Sequence, residues 1–358
     1  MLSLLKDYSE QKFGMTAEEH LRKYNCIIEA ILNRKIRLKE DIVSFFGPTV
    51  SEYHLVFDPD VTDTAIKTLA EDVSTALGIS RVRFYRRLES VVMEIPNEKR
   101  SIIPLKSLIM SRAFRECNAE LPLAIGFTSD QRAMVIDLVA AQHILVTGMP
   151  KQGKSVCLNA MVATLLLKKR SEFELVLIDT KGDSFKAYTG IAKTATNQSE
   201  AARALEELCG EMKRRQEVLF KANVKNIKDF NSNAESKLPY IVCVCDDYDD
   251  ASPQIASSII RLAQTGHIVG IHLILSCQKI TGNAVAKQMK EAKAAQIAFR
   301  TRLRLDPETI IDYPEAKKLL GEGDLILKWG GTLERMQGGY ISQEEPRSIA
   351  QYIKIQKG

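Results

Sequence analysis

From Leu121 onward, short apolar runs alternate with longer stretches in which apolar residues recur every three or four positions. The runs His143–Thr147, Phe173–Ile178, Tyr240–Cys245, Gly270–Cys277 and Gln296–Phe299 read as strands, and Lys154–Lys168, Ser199–Ala222 and Pro253–Gln264 as the helices between them. Strands separated by helices of this length imply β-α-β units and a mostly parallel sheet. The first 120 residues follow another rhythm. Thr16-Ala17-Glu18-Glu19 has the form of a capping box, and Leu21, Tyr24, Ile28, Ile31 and Leu32 follow at helical spacing. Tyr53 to Phe57 reads as a strand after the Gly47-Pro48 turn. Ile66, Leu69, Val73 and Leu77 mark a second helix stopped at Gly78, and Arg81–Arg87 and Ser90–Ile95 two further strands. The expected organisation is a small α+β unit over residues 1–120 followed by an α/β domain over 121–358.

Composition adds bounds. The chain has 358 residues, 45% hydrophobic and 27% charged, which suits buried cores and excludes a disordered chain. The longest nearly apolar run, Val156 to Leu167, is broken by Asn159 and ends in Lys168-Lys169-Arg170, short of the ~20 residues a membrane-spanning helix needs. With no leader-like start, a cytoplasmic protein is expected, with docking on a membrane-bound partner left open. The net charge of +5 permits nucleic-acid contact without arguing for it. Seven scattered cysteines suggest reduced thiols. Cys243-x-Cys245 lies inside an apolar run without a second ligand pair, so it reads as buried strand thiols rather than a metal pair.

Gly148-Met149-Pro150-Lys151-Gln152-Gly153-Lys154-Ser155 fits G-x-x-x-x-G-K-[ST], and a strand before it and a helix after it are the context the pattern requires. Successive backbone N–H groups at a helix N-terminus curl around phosphates, so Gly148 through Val156 form the expected nucleotide-binding segment. Lys154 would reach the β and γ phosphates of ATP, and the Ser155 hydroxyl would ligate Mg²⁺. The strand Ile241–Cys245 ends in Asp246, the expected Mg²⁺-side carboxylate, and Asp247, placed to orient the attacking water. Gln278 follows another strand at the same carboxyl edge, where ligands of open α/β sheets bind. Taken alone, acids and a glutamine at strand ends also read as ordinary loop residues.

These residues resemble the FtsK/SpoIIIE family of DNA translocases. The similarity runs through Gly47–Tyr53, Ile95-Pro96-Asn97, Gly153–Met161, Leu177–Gly182, Arg261–Gln264, Gly270–Gln278, Thr309–Asp312 and Leu319–Leu327. The resemblance implies a RecA-like P-loop NTPase core, Mg-ATP held by Lys154, Ser155 and Asp246, and a γ-phosphate sensor in Gln278. It also implies a homo-hexameric ring around double-stranded DNA, with Lys279, Lys287 and Lys290 on a channel-facing segment. Lys287, Lys290 and Lys293 equally read as a solvated helix face. Three departures stand out. The family's Asp-Glu is Asp246-Asp247 here, one methylene shorter. His267 replaces an Arg that could reach a neighbouring subunit, and Asp306-Pro307-Glu308-Thr309 replaces Asp-Ser-Arg-Thr. Slowed hydrolysis is therefore expected. A motor without a membrane anchor or winged-helix domain suggests a mobile-element or accessory homologue. Two other readings stay open: a catalytically weak nucleotide-binding scaffold, and a coupling ATPase of a conjugation or secretion machine.

Overall fold

Contacts in the computed structural model group the chain into two units. One comprises Tyr8–Ile103 with Phe127–Arg132, and the other Met1–Asp7, Pro104–Gly126 and Ala133–Gly358, whereas the sequence pattern placed a single boundary at residue 120. The structure describes residues 2–6, 15–79, 82–87, 89–168, 173–278, 284–301 and 314–357.

The smaller unit lays helices Ala17–Asn33 and Asp63–Ala76 on a four-stranded antiparallel sheet. The sheet runs Val43–Phe46, Val50–Leu55, Ser90–Pro96, Arg83–Arg87. The strand expected at Tyr53–Phe57 lies earlier, at Val50–Leu55, and Val43–Phe46 was not anticipated. Ile27, Ile31, Leu69 and Val73 from the helices meet Tyr53, Leu55, Met93 and Ile95 of the sheet. Thr16 caps the first helix through the Glu19 N–H at 3.2 Å. The Glu19 carboxylate does not complete the expected box with Thr16; it is buried against Lys23 at 2.6 Å and accepts from the Glu98 N–H at 2.9 Å. Asn97 ties the two sequence motifs of this unit together. It donates to the Gly47 carbonyl at 2.7 Å and accepts from the Ser51 hydroxyl at 2.7 Å.

The larger unit is built on a sheet with eleven strands among the described residues. Its parallel half contains β1 (Ile144–Thr147), β2 (Phe173–Asp179), β3 (Tyr240–Asp246), β4 (Ile271–Cys277) and β5 (Ala295–Phe299). They lie in the order β2-β3-β4-β1-β5, with the short strand Lys193–Ala195 outside β2. Every residue of β3 and β4 is buried, so their sequences run apolar without alternation, as expected of strands covered on both faces. The other half, which the helix–strand rhythm did not reveal, is antiparallel: β6 (Asp324–Trp329) pairs with β5, and β7 (Thr332–Tyr340) with β6.

Helix α1 (Lys154–Lys168) follows β1 directly, and Cys157, Leu158, Ala160, Met161, Val162 and Leu165 are buried along it. On the sheet's other face, α2 (Gln198–Lys221) and α3 (Pro253–Thr265) pack Leu205, Leu208, Met212, Ile259 and Leu262 against Ile241, Cys243 and Leu273. A short helix, α4 (Ala284–Glu291), precedes β5. Burial pushes the Cys157, Cys243 and Cys277 thiols up to about 12, in agreement with the reading of Cys243 and Cys245 as strand thiols. Cys26, in the smaller unit, and Cys117, in the larger, are half-buried, whereas the other five cysteines are buried.

Register aligns the strand ends. Asp246 lies opposite Asp179, and Thr147 opposite both Cys277 and Ala298, so these residues share the carboxyl edge. The amino edge is held by polar groups of another kind. Buried Arg215 donates to the carbonyls of Pro239 at 2.8 Å and Val269 at 3.1 Å. Beside it, His143 and His272 are fully buried, and the ring of half-buried His267 stands edge-on to that of His143 at 5.7 Å. His143 Nδ1 accepts from the Leu273 N–H at 3.0 Å, and His272 Nδ1 donates to the Gln142 carbonyl at 2.7 Å.

Burial, reinforced by the neighbouring histidines, lowers His143 to about 3; burial also lowers His272 to about 4. Both therefore fold neutral, whereas the unfolded chain protonates them below about 6.5. The unfolded state binds more protons in that window, so stability falls as pH drops from about 6.5 toward 4. Between pH 7 and 5 the loss should be about 2 kcal/mol per histidine. Urea unfolding at the two pH values checks it, and His272→Asn should roughly halve the dependence.

Candidate functional site

The phosphate loop leaves β1 at the centre of the carboxyl edge, and its shape is imposed from outside. Gly148 adopts φ +145°, and a Cβ there would come within 2.6 Å of Phe299 Cβ. Gly153, at φ +114°, would place a Cβ 3.2 Å from the Phe299 ring and 3.3 Å from Gly323 Cα. The Met149 N–H donates to the Arg300 carbonyl at 2.9 Å, and the Gly323 N–H to the Gln152 carbonyl at 3.0 Å. The Gly321–Gly323 turn is fixed in its own right. Buried Asp324 accepts from Arg335 Nε at 3.0 Å and Nη2 at 2.6 Å, and from the Leu320 N–H at 2.7 Å. Gly-Glu-Gly-Asp is thus a mould for the loop.

Inside the loop, buried Lys154 donates from Nζ to the carbonyls of Gly148 at 2.8 Å and Met149 at 3.1 Å. Burial lowers its pKa, opposed by the Asp247 and Asp246 carboxylates. The first N–H groups of α1 have no intrahelical partner and face the loop, the arrangement that favours a phosphate. Pro150 and Lys151 are exposed on the loop's outer side, Ser155 is exposed at the start of α1, and Val156 is half-buried one residue on.

Asp246 collects three hydroxyls. Ser155 and Ser184 each donate to its Oδ2 at 2.7 Å, and Ser276 donates to Oδ1. Ser184 belongs to the turn after β2, whose shape is set by Asp179. That carboxylate accepts from the N–H groups of Lys181 at 3.0 Å, Asp183 at 2.9 Å and Ser184 at 2.7 Å. The Asp246–Ser155 pair suits a hard divalent cation such as Mg²⁺, which takes one or two protein oxygens and completes its shell with phosphate oxygens and water. Among the described residues, no group of three or more His, Cys, Asp or Glu side chains offers a separate metal site.

Asp247 leaves the strand in a left-handed conformation, φ 53° and ψ 66°, and its N–H donates to Ser276 Oγ at 2.8 Å. Ser276 therefore bridges the two acids. Asp247 Oδ2 accepts from Gln278 Nε2 at 2.8 Å and from the Lys181 ammonium, while buried Oδ1 has no partner among the described residues. Burial works hardest against the charge of Asp247, but the Lys181 ammonium together with hydrogen bonds to Asp249 and Gln278 outweighs it and holds the carboxyl below the usual range. The Gln278 N–H donates to Asp249.

The structure thus brings together Lys154, Ser155, Asp246, Asp247 and Gln278. Lys287 and Lys290 sit apart on α4, exposed and half-exposed, while Val285, Ala286 and Met289 are buried. Lys279 lies outside the described residues, as do Arg302, Arg304 and the segment 306–309. His267 packs inward against His143 at the opposite edge, and Arg261 pairs with Glu206 at 2.7 Å within this chain. Sequence reading missed Ser184, Ser276, Lys181, Asp249 and the Asp324–Arg335 mould. The motifs LIDTKG and LLGEGDLIL pointed near them without giving roles.

Arg335→Met should strand a buried carboxylate, costing ~3–5 kcal/mol in urea unfolding. It should also weaken binding of a fluorescent ATP analogue, because the Gly321–Gly323 mould loosens.

Comparison with known proteins follows the same lines. Residues 104–245 match the FtsK/SpoIIIE family and residues 1–97 the FtsK alpha domain. DNA translocase FtsK 2 of Neisseria meningitidis is 31% identical over 376 residues, covering 95% of this chain and 37% of that protein. DNA translocase FtsK of Haemophilus influenzae is 29% identical, covering 98% of this chain and 74% of its own length. DNA translocase SpoIIIE of Bacillus subtilis is 30% identical, covering 87% and 43%. The chain thus spans less than half the length of the Neisseria and Bacillus relatives. Among solved structures, the pCW3 conjugation coupling protein TcpA is similar at TM-score 0.64 and 19% identity, over 93% of this chain and 99% of that one. The cytoplasmic domain of the type VII secretion ATPase EccC of Thermomonospora curvata is similar at TM-score 0.60 and 22% identity, over 71% and 34%. With both family patterns matched in succession and relatives near 30% identity along almost all of its length, the chain belongs to the FtsK/SpoIIIE family.

Proposed function

We propose that this chain is an ATP-driven motor for double-stranded DNA, working as a cytoplasmic homo-hexameric ring. The observation that carries this reading is the meeting of Ser155, Asp246, Asp247 and Gln278 in one hydrogen-bonded cluster at the carboxyl edge, with the Lys154 ammonium close enough to feel both acids. Bound Mg-ATP supplies the transferable phosphoryl group and a cation to balance its charge. The chain supplies the rest. Lys154 exchanges its contacts with the Gly148 and Met149 carbonyls for phosphate oxygens. Ser155 and Asp246 offer oxygens to the cation. Asp247 takes a proton from water through its carboxylate, and Gln278 orients the same region. Lys279, Lys287 and Lys290 are proposed to contact DNA phosphates, which give grip without sequence preference, as a moving motor requires.

A second reading is a coupling ATPase of a conjugation or secretion machine. The fold of the conjugation coupling protein TcpA matches this chain nearly end to end. The third, a weakly hydrolysing scaffold, draws on the short Asp247 side chain and its pairing with Lys181.

ATP turnover with and without linear duplex DNA separates them. The motor predicts stimulation by duplex DNA, reduced by roughly 10²-fold or more in Lys154→Ala. Stimulation by single strands or a protein partner alone indicates a coupling ATPase, and nucleotide binding without turnover a scaffold. A longer carboxylate should also help. Asp247→Glu is expected to raise turnover on the order of tenfold, since an ångström of misplacement costs up to ~10²-fold; an unchanged or lower rate would sink this idea.

A further inference from the structure

Lys181 has no role in the reaction just described, yet its ammonium sits on the carboxylate assigned as the base. Stability does not explain it. The side chain is 52% exposed against 14% for Asp247, so the pair contributes modestly to folding, enough to register in an unfolding cycle but too little to account for its placement. Its backbone is held with unusual care: the turn Thr180–Ser184 winds around Asp179, which accepts from the Lys181, Asp183 and Ser184 N–H groups. From that anchored turn Ser184 reaches Asp246 and Lys181 reaches Asp247, so one segment touches both acids at the end of β3. Gln278 shares the same Asp247 oxygen, which ties the two residues meant for water and γ-phosphate to each other.

We propose that Lys181 is a positioning residue that latches Asp247: its ammonium occupies Asp247 Oδ2 and holds that side chain with Gln278 in a resting arrangement that must open for hydrolysis. This rests on the ATPase reading above. The geometry fits a latch better than a permanent brace. The Lys181 backbone stays anchored while its half-exposed side chain swings into water at small cost, because an ammonium loses little solvation there. Opening leaves Asp247 with its N–H still on Ser276, so the carboxylate is released without being displaced. Any anion that draws the ammonium away opens the latch.

The test uses the full chain. Lys181→Met should raise DNA-independent kcat roughly tenfold, within the ~10²–10⁴ that a positioned base supplies. KM should stay unchanged, because Lys154 and Ser155 are untouched, and the ratio of DNA-stimulated to basal turnover should fall. Lys181→Arg, which keeps the cation, should restore wild-type behaviour. An unchanged or lower kcat, or a change confined to KM, overturns the latch and makes Lys181 a brace or a nucleotide ligand. A readout without turnover stands beside it. In nucleotide-free protein, the Tm shifts of Lys181→Met and Asp247→Asn should be non-additive in the double variant, and additive shifts overturn the pairing. Turnover in neither chain, with or without DNA, overturns the motor reading; the pairing then stands or falls on the unfolding cycle.

Discussion

Three chain segments far apart in sequence meet on the carboxylate of Asp246: Ser155 opens α1, Ser184 closes the turn after β2, and Ser276 lies near the end of β4. An ionised carboxylate only accepts, and a buried one must have its lone pairs satisfied. Each hydroxyl is therefore oriented by the acid rather than free to rotate. This works only because β2, β3 and β4 are parallel and in register, with Asp179 opposite Asp246 and Leu275 opposite Cys245. A slip of one residue would turn Asp246 to the sheet's other face and dissolve the cluster.

The loop that is to hold phosphate depends on the antiparallel half of the sheet. Phe299 at the end of β5 leaves room only for glycine at 148, and at 153 the φ of +114° demands glycine while Phe299 and Gly323 crowd it. The Asp324–Arg335 pair, 1% and 8% exposed, fixes the turn that presses against the loop. A buried pair of this kind contributes uncertain net stability. Its contribution here is shape: a rigid wall against a backbone that must present N–H groups in one direction.

Much of this was legible in the sequence, for identifiable reasons. The parallel strands announce themselves because covering both faces removes the alternation that helices and solvated strands share, as in Ile241–Cys245. The phosphate loop is legible because its backbone demands glycine at fixed spacing. β7 is not legible: Thr332 and Leu333 at its start are exposed, while Gln337 to Gly339 at its end are buried, so neither period dominates. Thr16-x-x-Glu19 gave the correct helix start for half the right reason, since tertiary contacts with Lys23 and Glu98 claim the glutamate. The serines around Asp246 and the lysine on Asp247 could not be read out, because nothing distinguishes them locally. Only the pairing of distant strands gives an ordinary hydroxyl or ammonium its partner.

The burial of the thiols has a practical corollary for watching the protein work. Cys157, Cys209, Cys243, Cys245 and Cys277 are sealed in the interior. Cys26 and Cys117 are half-buried, and each belongs to a different unit. A maleimide dye therefore finds the least buried thiols of the natural chain one to each unit. A donor–acceptor pair attached there would follow the spacing of the units through a nucleotide cycle, with no residue replaced.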